Sequence, residues 1–238
     1  TFFMRIKKIE NPYIDQFTWI SYVSLGVFSI LFFIFLIMDA TTLITKLAPT
    51  KNNFDPNRRA FIGLSIKTLL AGFGGAFSLY GVYNGLKKPE IITQNISFKK
   101  LPDDLKNFKI AQITDLHVGS QIKAEMVQSV VDKINRIEPD IVVFTGDAAD
   151  GSVEKYGKEM RPLQNIKSKY GNYFVTGNHE YYSDLKGWLN LIEDIGFKIL
   201  INESIELNIN NSKLVVTGVP DRTARYHVKS HKTNMKKA

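Results

Sequence analysis

Asp140-Ile141-Val142-Val143-Phe144-Thr145-Gly146-Asp147-Ala148-Ala149-Asp150 decides the fold class of this chain. Ile141 to Phe144 is an unbroken apolar run, β-branched or aromatic throughout, and reads as a strand buried on both faces. It stops abruptly on Thr-Gly-Asp, a small and polar turn. Upstream, residues 122–137 place Ile122, Met126, Val127, Val130, Val131, Ile134 and Ile137 on one helical face, and Glu138-Pro139 closes that helix. Phe108 to Thr114 reads as a strand before it. Downstream, a helix is expected around 153–168, a strand over Asn172 to Thr176, and a helix over 184–195. Strand and helix alternating in this way predict an α/β fold with a mainly parallel sheet.

The polar residues fall at one place in that pattern. The three strands end in Thr114-Asp115, Thr145-Gly146-Asp147 and Thr176-Gly177-Asn178. Ligands of open α/β sheets bind beyond the carboxyl ends of the strands. Asp115, His117, Asp147, Asn178 and His179 are therefore expected to converge. Taken singly, each has a blander explanation: an aspartate after a strand is usually a turn former or a cap, and a lone histidine is usually solvated. Their ordered recurrence at three successive strand ends outweighs that explanation. Oxygen and imidazole donors suit Mn, Fe, Zn or similar ions. The chain has no cysteine, which excludes disulfides and thiolate sites and leaves the redox compartment open.

Asp115-Leu116-His117, Gly146-Asp147-Ala148-Ala149-Asp150 and Gly177-Asn178-His179-Glu180 resemble the first three motifs of the calcineurin-like metallophosphoesterases, Asp-x-His, Gly-Asp-x-x-Asp and Gly-Asn-His-Glu/Asp. Asp150-Gly151-Ser152-Val153 and Glu180-Tyr181-Tyr182-Ser183, with Trp188 beyond, are similar to a bacterial membrane-anchored branch that includes relatives of UDP-2,3-diacylglucosamine pyrophosphatases. The resemblance covers about residues 15–225, loosely over the first part and closely over 106–222. It implies a sandwich of two β-sheets flanked by helices and a centre of two divalent metal ions. Asp115 and His117 would bind the first ion, Asp147 would bridge both, and Asn178 would bind the second. His179 would sit beside the phosphoryl group as general acid or charge stabiliser, and Asp150 would orient a histidine. The implied reaction is two-metal hydrolysis of a phosphodiester, pyrophosphate or phosphomonoester. No part in the chemistry falls to Glu180. The family's downstream His and Gly-His-x-His are expected beyond Ala238. His227 and His231, in a basic tail, read as solvated. The chain starts at Thr1 and ends in a helix-like Asn234-Met235-Lys236-Lys237-Ala238. It therefore reads as a fragment, incomplete at the C-terminus, that would bind metal poorly and be inactive alone.

The first third is different. Residues 16–38 carry no charge, and Trp19 to Met38 is nearly all apolar, about the length that crosses a bilayer. A second run, 61–86, is charged only at Lys67 and rich in small residues, which favour close helix approach in membranes. The organisation expected is a membrane region over 1–88 with transmembrane helices at about 17–38 and 61–83. A linker at 89–105 and a truncated metallophosphoesterase domain at 106–238 follow. Lys46, Lys51, Arg58 and Arg59 lie between the spans, against Arg5, Lys7 and Lys8 before them. That balance leans toward a cytoplasmic middle loop, and Asn57-Arg58-Arg59-Ala60-Phe61-Ile62 resembles a twin-arginine export signal. Together these expect a multi-pass bacterial inner-membrane protein with an extracytoplasmic site. A UDP-linked lipid precursor is made inside, so the export reading and that substrate exclude each other.

Net charge is +8, spread evenly along the chain, with no basic stripe interleaved with aromatics, so nucleic acid is not an expected partner. The expected partners are the bilayer and a phosphoester substrate, with a lipid-linked one favoured by proximity. The rival reading from another class is a membrane-tethered binding or scaffold protein with a degenerate site. The intact Asp115, His117, Asp147, Asn178 and His179 speak against it.

Overall fold

A computed structural model describes residues 12–47, 55–85 and 87–238. Arg5, Lys7, Lys8 and Lys51 of the charge balance lie outside the described residues. The chain divides into two compact units, Thr1–Lys87 and Lys88–Ala238.

The first unit holds helices α1 (Pro12–Leu47) and α2 (Pro56–Gly85), both longer than the apolar runs that announced them. Each is long and apolar enough to cross a membrane, by length and composition. Neither has a polar face: Phe28, Phe33 and Leu36 on α1 and Phe73, Phe77 and Leu79 on α2 are all exposed. The helices meet at a glycine. A Cβ on Gly74 would stand 2.9 Å from Leu31 Cδ2 and 3.0 Å from Ile34 Cδ1, so the missing side chain lets the helices approach without displacing those tips. One turn on, Ser78 is buried and donates its hydroxyl to Gly74 O at 2.7 Å. Gly74 and its partners on α1 lie at similar chain distances from the connecting segment, which makes the pair a hairpin.

The second unit is mixed α/β, as the alternation predicted. Its parallel sheet runs β1 (Ile110–Ile113), β2 (Ile141–Phe144), β3 (Asn172–Phe174), β4 (Phe197–Ile199) in that spatial order. Register sets Ile110 against Ile141 and Phe144 against Phe174. An antiparallel pair, β5 (Glu203–Ile209) and β6 (Ser212–Gly218), forms a second sheet. Alternation of side chains along β2 explains its unbroken apolarity. Val142 and Phe144 face a core shared with α3 (Ala124–Ile137), α4 (Val153–Met160) and α6 (Leu185–Asp194), through Val127, Met160 and Trp188. Ile141 faces a second core, with Leu200, Leu207 and Ile209 from the β4–β5 side.

Three local readings are adjusted. The helix expected over 153–168 stops at Met160 and tightens into a 3-10 turn over Arg161–Asn165, because Pro162 has no N–H to continue the ladder. β4 and β5 were not anticipated. The end of the segment expected as a linker is tied down. Leu105 is buried in the second core, and the Asp104 carboxylate accepts from Asn211 N at 3.1 Å and Ser212 Oγ at 3.0 Å in the β5–β6 turn.

Candidate metal centre

Because β1, β2 and β3 are neighbours, their exit loops lie side by side. The ladder continues past the strands: Asp115 N donates to Gly146 O at 3.2 Å, His117 N to Asp147 O at 3.0 Å, and Val118 N to Ala148 O at 2.9 Å. The loops hold an unusual backbone. Asp115, His117 and Asp147 have φ of 53°, 47° and 53°, and Gly146 has 85°. Left-handed backbone costs a non-glycine residue roughly 1–2 kcal/mol, and such outliers cluster at functional sites. Of the seven non-glycine residues with such backbone among the described residues, three are Asp115, His117 and Asp147.

The side chains meet as that placement demands. Nε2 of His117 lies 3.7 Å from Asp115 Oδ1 and 3.9 Å from Asp147 Oδ2. These three residues offer donor atoms within 4.8 Å of one another, and so do His117, Asp150 and His179. Asp150 Oδ1 contacts Nδ1 of both rings, at 2.9 Å for His117 and 2.7 Å for His179. It therefore holds two histidines where one was expected. The two rings stand nearly perpendicular with centroids 4.5 Å apart. Trp188 steadies this loop, its buried indole donating to Gly151 O at 2.7 Å. Asn178 opens the short helix α5 (Asn178–Tyr182) at the same sheet edge, and His179 N donates to Asp147 Oδ1 at 3.0 Å. Burial alone would lower the His117 pKa. The Asp150 hydrogen bond and the charges of Asp150, Asp147 and Asp115 outweigh it and hold the pKa above its ordinary value. A field that favours a proton on His117 favours a cation there generally. Nitrogen and oxygen donors crowded around that field fit a hard or borderline divalent ion.

Glu180 was passed over in the sequence. Its side chain is fully buried and accepts three backbone N–H groups: Ala148 at 2.7 Å, Gly177 at 2.7 Å and Asp147 at 3.2 Å. Burial pushes its carboxyl pKa up, against the pull of those donors. The two histidines read as solvated divide. His227 is exposed, although its ring packs 5.3 Å from that of Tyr182. His231 is half-buried, with Nδ1 2.8 Å from the Tyr181 hydroxyl, so that reading is corrected. The signal available for it was weak, since the contact spans fifty residues.

An α/β unit with Asp and His side chains gathered at the carboxyl edge of a parallel sheet belongs to the class of α/β proteins that build a ligand or metal site beyond their strand ends. More particularly, residues 108–231 match the model of the calcineurin-like phosphoesterases, and the chain belongs to that family. A transmembrane protein with metallophosphoesterase domain from Danio rerio is 28% identical over 220 residues, covering 87% of this chain and 49% of that protein. The protein of the same name from Bos taurus is 25% identical over 242 residues, 96% of this chain and 53% of that one. An uncharacterized metallophosphoesterase from Helicobacter pylori is 38% identical over 145 residues, 61% of this chain and 37% of that one. The chain thus spans about half the length of the transmembrane relatives and less of the bacterial one.

Proposed function

We propose that this protein is a membrane-anchored, metal-dependent phosphoesterase that hydrolyses a phosphodiester, pyrophosphate or phosphomonoester bond. The observation that carries the reading is the convergence of Asp115, His117 and Asp147 at one sheet edge. In this reading Asp115 and His117 hold one divalent ion, Asp147 is shared between two, and Asn178 holds the second. When bound, such ions polarise a phosphoryl oxygen and lower the pKa of water so that a nucleophile forms at neutral pH. His179 faces the phosphoryl group and gives or holds a proton on the leaving oxygen. Asp150 keeps both imidazoles turned by their Nδ1 atoms, which frees their Nε2 atoms for the site.

The membrane part of the reading is supported by α1 and α2. Both expose large apolar side chains all round. Several of their hydroxyls are satisfied internally: Ser21 Oγ donates to Phe17 O at 2.8 Å, Ser29 Oγ to Leu25 O at 2.7 Å, and Thr68 Oγ1 to Leu64 O at 3.0 Å. Hydrocarbon demands that economy. An anchor brings the site to substrates presented at a bilayer, so a lipid-linked phosphodiester or pyrophosphate is the favoured class. The basic residues at the facing ends of the two helices and in the segment that joins them, Lys46, Lys51, Arg58 and Arg59, favour an extracytoplasmic site in a bacterial inner membrane.

The test uses the full-length protein in nanodiscs, with bis-p-nitrophenyl phosphate and a lipid pyrophosphate as substrates. Hydrolysis should vanish on chelation with EDTA and return with Mn²⁺ or Zn²⁺. Turnover that survives complete chelation, or a protein that binds no divalent ion, sinks the reading.

A further inference from the structure

We propose that Glu180 is a positioning residue whose buried carboxylate fixes the backbone of Asp147 and thereby sets the affinity of the centre for its divalent ion. The inference rests on the metallophosphoesterase reading above and deepens it.

Gly146 (φ 85°) and Asp147 (φ 53°) turn the chain sharply after β2, and the successive N–H groups of Asp147 and Ala148 converge on one anion, forming a backbone nest in the turn. The anion in this nest is a side chain of the same protein. Glu180 Oε1 takes Ala148 N at 2.7 Å, and Oε2 takes both Asp147 N at 3.2 Å and Gly177 N at 2.7 Å. Among the described residues these three donors have no other acceptor. The carboxylate is wholly buried, so water cannot substitute for it.

The clasp is reciprocal. Glu180, in α5 just after β3, holds the backbone of the loop after β2. Asp147, on the loop after β2, returns Oδ1 to His179 N at 3.0 Å. Between them the two loops touch backbone to backbone. A Cβ on Gly146 would collide with the Gly177 backbone, and one on Gly177 would collide with the Asp147 carboxylate. With one oxygen of Asp147 spent on this bond, Oδ2 is left toward His117 Nε2 at 3.9 Å. Glu180 touches no donor atom of the centre itself. Its influence passes through the φ and ψ of Asp147, which decide where Oδ2 points.

Three measurements on the full-length protein test this. The first is the Mn²⁺ dissociation constant of wild type, Glu180→Gln and Glu180→Asp, by competition with a fluorescent chelator. The second is turnover at saturating Mn²⁺. The third is amide hydrogen exchange of metal-free wild type at Asp147, Ala148 and Gly177. Glutamine can satisfy only one side of the nest, because its amide NH₂ must face at least one of the three donors. Partners behind the ligands typically govern metal affinity by about 10- to 100-fold, so Glu180→Gln should weaken Mn²⁺ binding by that order. Its loss of affinity should exceed its loss of turnover once metal saturates. Glu180→Asp keeps the charge and should recover part of the affinity. The three amides should already be protected in metal-free wild type, since the carboxylate and not the ion holds them. That readout needs no variant to fold. Glu180→Gln with wild-type Mn²⁺ affinity overturns the inference, and so do amides protected only after Mn²⁺ is added. A wild type that binds no divalent ion overturns the metallophosphoesterase reading and the inference with it, a distinguishable result.

Discussion

The two units of this chain satisfy their polar groups in opposite ways. In the hairpin of α1 and α2, the hydroxyls of Ser21, Ser29, Thr68 and Ser78 each bond a carbonyl one turn back on their own helix, as Ser78 does to Gly74 O. In the α/β unit the decisive bonds are long-range. Asp150 reaches His179 across 29 positions and His117 across 33, and Glu180 reaches Asp147 across 33. Local satisfaction makes a unit that tolerates change residue by residue. Long-range satisfaction makes one in which a single carboxylate holds several segments. The contrast predicts graded consequences, largest in the loops and smallest at the periphery.

The largest effect belongs to Asp147→Asn. Size is preserved and the His179 N–H still finds an oxygen. The charge that stands 3.9 Å from His117 Nε2 and accepts the His179 N–H is lost. Hydrolysis by the full-length protein should fall to background. His179→Ala should instead lower turnover by about 100- to 10,000-fold, the range of general acid–base contributions, with metal content nearly unchanged. Metal stoichiometry measured beside rate separates the two. If His179→Ala loses its metals, the His117–Asp150–His179 group is itself an ion site and the assigned roles exchange.

The sequence revealed the frame of this arrangement more readily than its fastening. Strand ends at Thr114, Thr145 and Thr176 located the site because a parallel sheet aligns carboxyl ends automatically, so that Asp115, Asp147 and Asn178 needed no contact information. Glu180 stayed hidden because two of its three partners, the backbone N–H groups of Asp147 and Ala148, lie on another loop and leave no side-chain signature. The double engagement of Asp150 was half visible: the family resemblance implied a histidine partner, but whether it held one ring or two depends on loop conformation. β4 (Phe197–Ile199) is too short to show a period. β5 did carry one, with Ile205, Leu207 and Ile209 alternating toward the core, and was missed beside its charged neighbours. His231 could not be placed because its Tyr181 contact depends on how the segment after β6 folds back.

An intermediate effect is expected in the hairpin. Gly74→Leu must displace the ends of Leu31 and Ile34, whereas Gly75→Leu enters open space. Overpacking costs typically about 1–3 kcal/mol, at the lower end here because the obstructing atoms are mobile side-chain tips. Thermal unfolding of the full-length protein in detergent should show Gly74→Leu melting below wild type and Gly75→Leu close to it. Equal melting of the two variants would mean that the glycine contact does not hold the helices together. A loss of Mn²⁺ binding in Gly74→Leu comparable to that in Asp147→Asn would break the contrast between the units.

The smallest effect should come from the edge of the α/β unit. His231 is half-buried against Tyr181, and burial lowers its pKa. The unfolded chain, with an ordinary histidine pKa near 6.5, therefore binds the proton more readily than the folded one. Stability from this site is present above pH ~6.5 and is lost as pH falls through the depressed folded value. Protonation also removes the option of Nδ1 accepting from the Tyr181 hydroxyl at 2.8 Å, while the second bond of that hydroxyl, 3.0 Å from Thr176 Oγ1, survives. A net hydrogen bond contributes about 0.5–1.5 kcal/mol, and partial exposure of the ring places this one at or below the lower bound. Urea midpoints of wild type and His231→Gln, each at pH 8 and pH 5, isolate the contribution, because every other titrating group is common to both proteins. Wild type should lose more stability between the two pH values than His231→Gln does. An equal loss would show that the ring titrates alike in the folded and unfolded chains, and that the Tyr181 contact leaves the pH response of the fold untouched.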